Sequence, residues 1–217
     1  YSYWIIVHAN PHGTGSVLDT YEFRNEFYVY KLDENGIGFD HVDSSICVMD
    51  EYVFRASPDG NKIVLVDSFM YNNGQFSHPV VYDFDRETGK LSNPLKINYG
   101  NKGFCFSPNS KVLYAYDTRD GAIYQYDLKQ ANPNLTVKKY PTDVVVYSMQ
   151  IGPDSILYLN PHEKQYLKAI TRPDNILSMD FSNEFGFIDF SILLVDNKSQ
   201  NIHSGWFFPT FIDAFYP

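Results

Sequence analysis

"FRASPDGNKIVLVDS", Phe54 to Ser68, decides the fold. A short β-type run meets Ser-Pro-Asp-Gly, and a second β-type run leaves it. Ser is favoured at the first position of a tight turn, Pro pre-sets φ at the second, and Gly suits the fourth. The run "KIVLVDS" is apolar and β-branched, as strands are. A second copy, "FCFSPNSKVLYAYDT", spans Phe104 to Thr118, and a worn third, "MQIGPDSILYLNP", spans Met149 to Pro161. The shared prolines are Pro58, Pro108 and Pro153, so the spacings are 108 − 58 = 50 and 153 − 108 = 45 residues.

A different element follows each copy. "VVYDFDRETGKLSNPLKI" (Val80 to Ile97) follows the first and "IYQYDLKQANPNLTVKKY" (Ile123 to Tyr140) the second. "FYVYKLDENGIGFDHV" (Phe27 to Val42) has the same shape, and "YLKAITRP" (Tyr166 to Pro173) is the last of the series. Each repeat reads strand, tight turn, strand, loop, strand, turn, strand. Four short antiparallel strands recurring every ~40 to 50 residues predict blades of a β-propeller. One blade cannot cover its own faces, so neighbouring blades stack.

The predicted fold is therefore all-β: a β-propeller of four-stranded antiparallel blades, with about three to four blades present. The whole chain, 1–217, reads as one region. Residues 1–45 form an incomplete blade without its innermost strand, 46–99 and 100–142 form full blades, and 143–173 a partial one. Residues 174–217 do not repeat; they predict a closing strand and irregular structure.

Composition agrees with this class and excludes others. Aromatic residues make up 17%, with 18 Tyr and 17 Phe, which favours pleated surfaces. The net charge of −9 argues against nucleic acid or anionic lipid as partner. No run approaches the ~20 apolar residues of a spanning helix, so no membrane insertion is expected. Cys47 and Cys105 sit in apolar, strand-like contexts and read as buried free thiols, with a disulfide or a reactive thiol as the lesser alternatives. The sequence begins inside a strand-like stretch without an initiator Met or signal peptide. It reads as a mature product or a piece of a longer chain.

The repeats "SPDGNKIVLVDS", "VVYDFDRETGKLSNPLKI", "FCFSPNSKVLYAYD" and "IYQYDL" resemble those of YVTN/WD-repeat-like β-propellers. More narrowly, "YWIIVHANPHGTGS…NEFYVYKLDENGI" and "GWFFPTFIDAFYP" resemble the propeller region of large secreted bacterial surface proteins associated with type IX secretion and gliding motility. The resemblance implies a secreted or cell-surface location and a non-catalytic scaffold or adhesion role, with a protein or glycan ligand. Such propellers close with more blades than this chain supplies. An open stack leaves two sheet faces bare, so self-association or continuation in a longer chain is expected. The alternative is a lactonase-like propeller enzyme acting on a sugar lactone, since that group also carries "SPDG" and "TGKL" repeats. In that case inner-strand ends near Glu51, Arg55 and His8 would converge.

No catalytic constellation, metal set or cofactor motif stands out. Asp83, Asp85 and Glu87 alternate as calcium ligands could, but the further ligands of a calcium loop are missing and a turn explains them. Ser57, Ser107, Asp59, Asn109 and Asp154 belong to the repeat and read as turn formers. His8 and His12 lack a third ligand at suitable spacing. His8 precedes, and His12 lies within, a long loop from about Ala9 to Arg24, and long loops on rigid scaffolds concentrate binding residues. The candidate ligand-binding residues are therefore His8, His12, Glu22 and Arg24. Trp206, within an aromatic cluster of the tail, joins them as a possible carbohydrate or partner platform, against the simpler reading that the chain end packs on the last blade.

Overall fold

The computed structural model describes residues 3–8, 26–44, 54–66, 78–162, 167–176 and 187–190. Among them the strands form four antiparallel meanders in chain order. The first sheet holds β1 (Tyr3–His8), β2 (Glu26–Asp33) and β3 (Gly36–Ser44). The second holds β4 (Phe54–Ala56), β5 (Lys62–Val66), β6 (Pro79–Phe84) and β7 (Leu91–Lys96). The third holds β8 (Lys102–Phe106), β9 (Val112–Asp117), β10 (Ala122–Asp127) and β11 (Lys138–Pro141). The fourth holds β12 (Val146–Ile151), β13 (Leu157–Pro161), β14 (Leu167–Ile170) and β15 (Phe187–Phe190). The fourth strand of this last sheet lies past residue 173, where the repeat fades in the sequence.

The repeated turns explain themselves chemically. Ser57 Oγ accepts from the Lys62 amide (2.9 Å) and donates to Asp59 Oδ1 (2.6 Å). Ser107 repeats this with the Val112 amide (3.1 Å) and Asn109 Oδ1 (2.8 Å). The fourth turn position is left-handed in all three copies, with φ of 70° at Gly60, 60° at Ser110 and 62° at Ser155. In "DFDRETG", Asp85 accepts from the Glu87 amide (2.8 Å) and the Thr88 hydroxyl (2.8 Å), so its carboxylate holds the β6–β7 turn.

The sheets stack face to face, and three apolar layers lie between them. Phe27 and Val29 meet Ile63, Leu65, Val80 and Tyr82. Val64, Val81 and Ile97 meet Leu113, Ala115, Tyr124 and Tyr126. Val112, Tyr114, Tyr116 and Ile123 meet Val146, Met149, Leu157 and Leu159. β9 is buried on both faces, which is why "VLYAY" shows no polar alternation. Burying one such side chain is worth ~1.5 to 3 kcal/mol, so layer formation outweighs any single strand propensity, which spans ~1 kcal/mol. Cys105 is buried within the third layer, where its Sγ–H donates to the Phe106 carbonyl (3.4 Å), and Cys47 lies outside the described residues.

Polar contacts repeat between blades as well. The Leu91 amide donates to Asp43 Oδ2 (2.7 Å), and the Asn98 amide to Asn134 Oδ1 (2.9 Å). Each joins the outer part of one sheet to the outer part of the next.

Candidate functional site

The tight turns 57–60, 107–110 and 152–155 lie at one end of the stack. The other end gathers the sheet-to-sheet connections 97–101 and 142–145, the β9–β10 turn 118–121 and the end of β13. Here the inner strands β8 and β12 run side by side. Both are interrupted by a bulge, between Lys102 and Phe104 in one and between Val146 and Ser148 in the other. A bulge re-aims the side chain at its position and breaks the alternation. Gly103 makes the first possible, with φ of 55°.

The consequence is a three-residue cluster. Lys102 Nζ stands 4.5 Å from the centre of the Tyr147 ring. The Tyr147 ring meets the His162 ring edge-on at 4.5 Å and 65°. The His162 amide donates to the Val145 carbonyl (2.7 Å), which fixes the start of the following connection. All three side chains are half-buried. The cluster thus offers an ammonium donor, an aromatic face and an imidazole side by side, a combination suited to a polar ring bearing a carbonyl or an anionic group.

A rigid polar frame lies behind it. Asn101 and Thr118 exchange hydrogen bonds of 2.8 and 2.9 Å. Asp117 is buried and accepts from the Gly100 amide (2.8 Å) and from Arg119 N (2.9 Å) and Nε (2.7 Å), with a further Arg119 N–H on its second oxygen. Burial pushes the Asp117 carboxyl up, but the Arg119 and amide hydrogen bonds outweigh it and hold the group below its ordinary value. His78 lies near this pair; burial and then the Arg119 charge push its imidazole down.

Among the sequence candidates, His8 ends β1 in register with Phe27. His12, Glu22, Arg24, Trp206 and Glu51 lie outside the described residues. Arg55 sits on β4 opposite Val64, apart from the cluster. Among the described residues, no group of three or more His, Cys, Asp or Glu is placed to hold a metal ion.

Sequence reasoning missed Lys102, Tyr147 and His162. One local signal was available: the isolated Gly103 inside the strand-like "NKGFCF", which marks a bulge.

Neither a known family model nor a curated protein matches the sequence. Solved structures do. A candidate 6-phosphogluconolactonase from Bacteroides fragilis NCTC 9343 is similar over 77% of this chain and 48% of its own, with 14% identity and a TM-score of 0.52. Kuenenia stuttgartiensis hydrazine synthase is similar over 78% of this chain and 55% of its own (16% identity, TM-score 0.44). A candidate 6-phosphogluconolactonase from Bacteroides uniformis ATCC 8492 is similar over 78% and 64% (15% identity, TM-score 0.43). The fold is a β-propeller, present in part. The chain spans about half the length of the Bacteroides fragilis structure.

Proposed function

We propose that this chain is part of a lactonase-type β-propeller and that its ligand site lies at Lys102, Tyr147 and His162. The observation that carries the reading is the pair of facing bulges that turn Lys102 and Tyr147 out of strand alternation beside His162. The likeness in fold to the candidate 6-phosphogluconolactonase supports a sugar lactone as the substrate class.

The chemistry asked of the cluster is modest. Tyr147 supports the apolar face of the sugar ring. The Lys102 ammonium donates to the lactone carbonyl oxygen as negative charge develops on it. His162 takes a proton from the attacking water as its oxygen bonds to the acyl carbon. The ring C–O bond then breaks, and the proton passes from His162 to the departing alkoxide. The product is an open hydroxy acid.

Hydrolysis of glucono-1,5-lactone, followed against its spontaneous rate, tests this. His162→Gln and Lys102→Met are each expected to lower kcat/KM by ~10²-fold or more with little change in Tm. No acceleration by the native chain, together with no perturbation of Tyr147 by the lactone, would remove the reading.

The non-catalytic scaffold reading, with a secreted or cell-surface location and a protein or glycan ligand, keeps one observation in its favour. Ile37 and Phe39 are 66% and 59% exposed on the first sheet, as contact residues are before a partner arrives. It would gain if glycans or envelope proteins bound the chain while lactones did not.

A further inference from the structure

Lys102 and Tyr147 stand on different sheets, and one buried side chain reaches both bulges. Tyr116 on β9 is the register partner of Lys102 on β8. Its carbonyl accepts from the Asn101 amide (3.0 Å), which pins the residue next to Lys102. Cross-strand partners share a face of the sheet. Here that face is the third apolar layer, where the Tyr116 ring, 2% exposed, packs with Val146 and Met149 of β12. Tyr116 therefore lies beside Lys102 and extends toward the second bulge.

The second bulge has a backbone group to satisfy. The His162 amide bonds the Val145 carbonyl (2.7 Å). Hydrogen-bonded and non-hydrogen-bonded pairs alternate along an antiparallel ladder, so the next pair, Val146 with Pro161, turns its polar backbone away from β13. β12 is the first strand of its sheet and Val146 is fully buried, so neither a ladder carbonyl nor solvent meets this amide. The Tyr116 hydroxyl does: the Val146 amide donates to it. A buried amide without an acceptor is costly, so this bond holds the strand in its bulged course. Burial pushes the Tyr116 phenol up, so it keeps its proton at any working pH. Gly103 completes the arrangement. A Cβ built on it would stand 3.6 Å from the Tyr147 carbonyl oxygen and 3.6 Å from Val146 Cγ1, so the two bulges lie in contact.

We infer that Tyr116 is a positioning residue of the site: its hydroxyl holds the β12 bulge in the form that sets the Tyr147 ring against Lys102 and His162. Buried as it is, Tyr116 reaches no substrate. It acts through the Val146 amide on the residue that follows. Its effect on turnover rests on the lactonase reading; its effect on the placement of the Tyr147 ring does not.

Magnetic resonance measures that placement directly. The Tyr147 ring meets His162 edge-on, so its ring current displaces the His162 Cε1 proton. That signal is identified by its loss in His162→Gln, and Tyr147→Leu gives its position without the ring. Tyr116→Phe keeps the ring in the core and removes only the hydroxyl. It should move the His162 signal toward the Tyr147→Leu position. It should also raise KM for glucono-1,5-lactone about tenfold, with a smaller change in kcat. Amide exchange in the native chain needs no variant: the Val146 amide should exchange as slowly as the core amides of β9. An unmoved His162 signal in Tyr116→Phe overturns the inference, as does fast exchange at Val146. A native chain without lactone turnover removes the lactonase reading alone, and the resonance and exchange results still decide the role of Tyr116.

Discussion

The Trp4 indole packs directly on Gly89: a Cβ built on that glycine would come within 2.7 Å of Trp4 Cε3 and Cζ3. Trp4 Nε1 also donates to the Arg86 carbonyl (2.9 Å), so the first sheet is latched to the β6–β7 turn of the second. Gly89 has φ of 72°, where any side chain is strained. Gly89→Ala therefore combines backbone strain with displacement of the ring. The expected cost is about 2 to 3 kcal/mol, visible as several degrees in Tm. Trp4 emission, read in a Trp206→Phe background, should shift red as the indole loses its seat. An unchanged Tm would show that the latch does not hold the sheets together.

The third turn copy carries a correctable defect. Ser155 sits at φ of 62°, a place that Gly60 fills in the first copy. The left-handed region costs a non-glycine residue ~1 to 2 kcal/mol, against ~0.5 to 1 kcal/mol for the extra unfolded-state freedom of glycine. Ser155→Gly is expected to stabilise slightly, by up to about 1 kcal/mol. Ser110→Gly should gain less, because Ser110 Oγ accepts from the Asp59 amide of the neighbouring blade (3.0 Å). Paired denaturant titrations check the order, and equal effects would contradict it.

These positions show what the sequence carries. The turn residues Ser57, Gly60 and Ser107 act locally, through bonds to atoms at most five residues away, so their role was legible. The buried run of β9 was legible too, because burial on both faces erases alternation. The cluster was not. Lys102, Tyr147 and His162 come together only when two blades stack and bulges in β8 and β12 interrupt the alternation at Lys102 and Tyr147, and Gly103 signals only the first of those bulges. The contacts of Asp43 with Leu91 and of Asn98 with Asn134 depend on how strongly the outer strands twist, which is a property of the assembled sheets. His12, Glu22, Arg24 and Trp206 fall outside the described residues, and binding experiments on them remain the measure of that part of the reading.

Asp117 makes stability depend on acid. Its carboxyl is held below the ordinary value of 3.8, despite burial, by Arg119 and the Gly100 amide. The folded value lies below the unfolded one, so the contribution is complete above the unfolded pKa and is lost as pH falls through the folded one. The window is below about pH 4. Asp117→Asn should cost about 2 kcal/mol at neutral pH and lessen the loss of stability in acid. Asp59 and Asp83 are also held low, so part of the acid limb should survive the substitution. An acid limb identical to that of the native chain would mean that Asp117 does not titrate with folding.

A buried amide links the third sheet to the β14–β15 connection. Gln125 is 1% exposed, and its Nε2 donates to Tyr114 Oη (2.8 Å) and to the Asn175 carbonyl (2.8 Å). Its Oε1 accepts from Tyr140 Oη (3.2 Å), and Tyr114 Oη donates onward to the Pro173 carbonyl (2.9 Å). Burial pushes the Tyr140 phenol up to about 12, so both hydroxyls keep their protons at any ordinary pH. Gln125→Leu fills the space but strands these partners, and about 3 kcal/mol should be lost. Gln125→Glu separates polarity from shape. A buried carboxyl facing the Asn175 carbonyl can donate only while protonated, so its folded pKa rises above the unfolded one. Its stability should match the native chain best in acid and fall as pH rises from about 5 to about 8. Tm series for the two variants distinguish the cases: a pH-independent loss in Gln125→Glu would mean that water, and not the amide, satisfies the network.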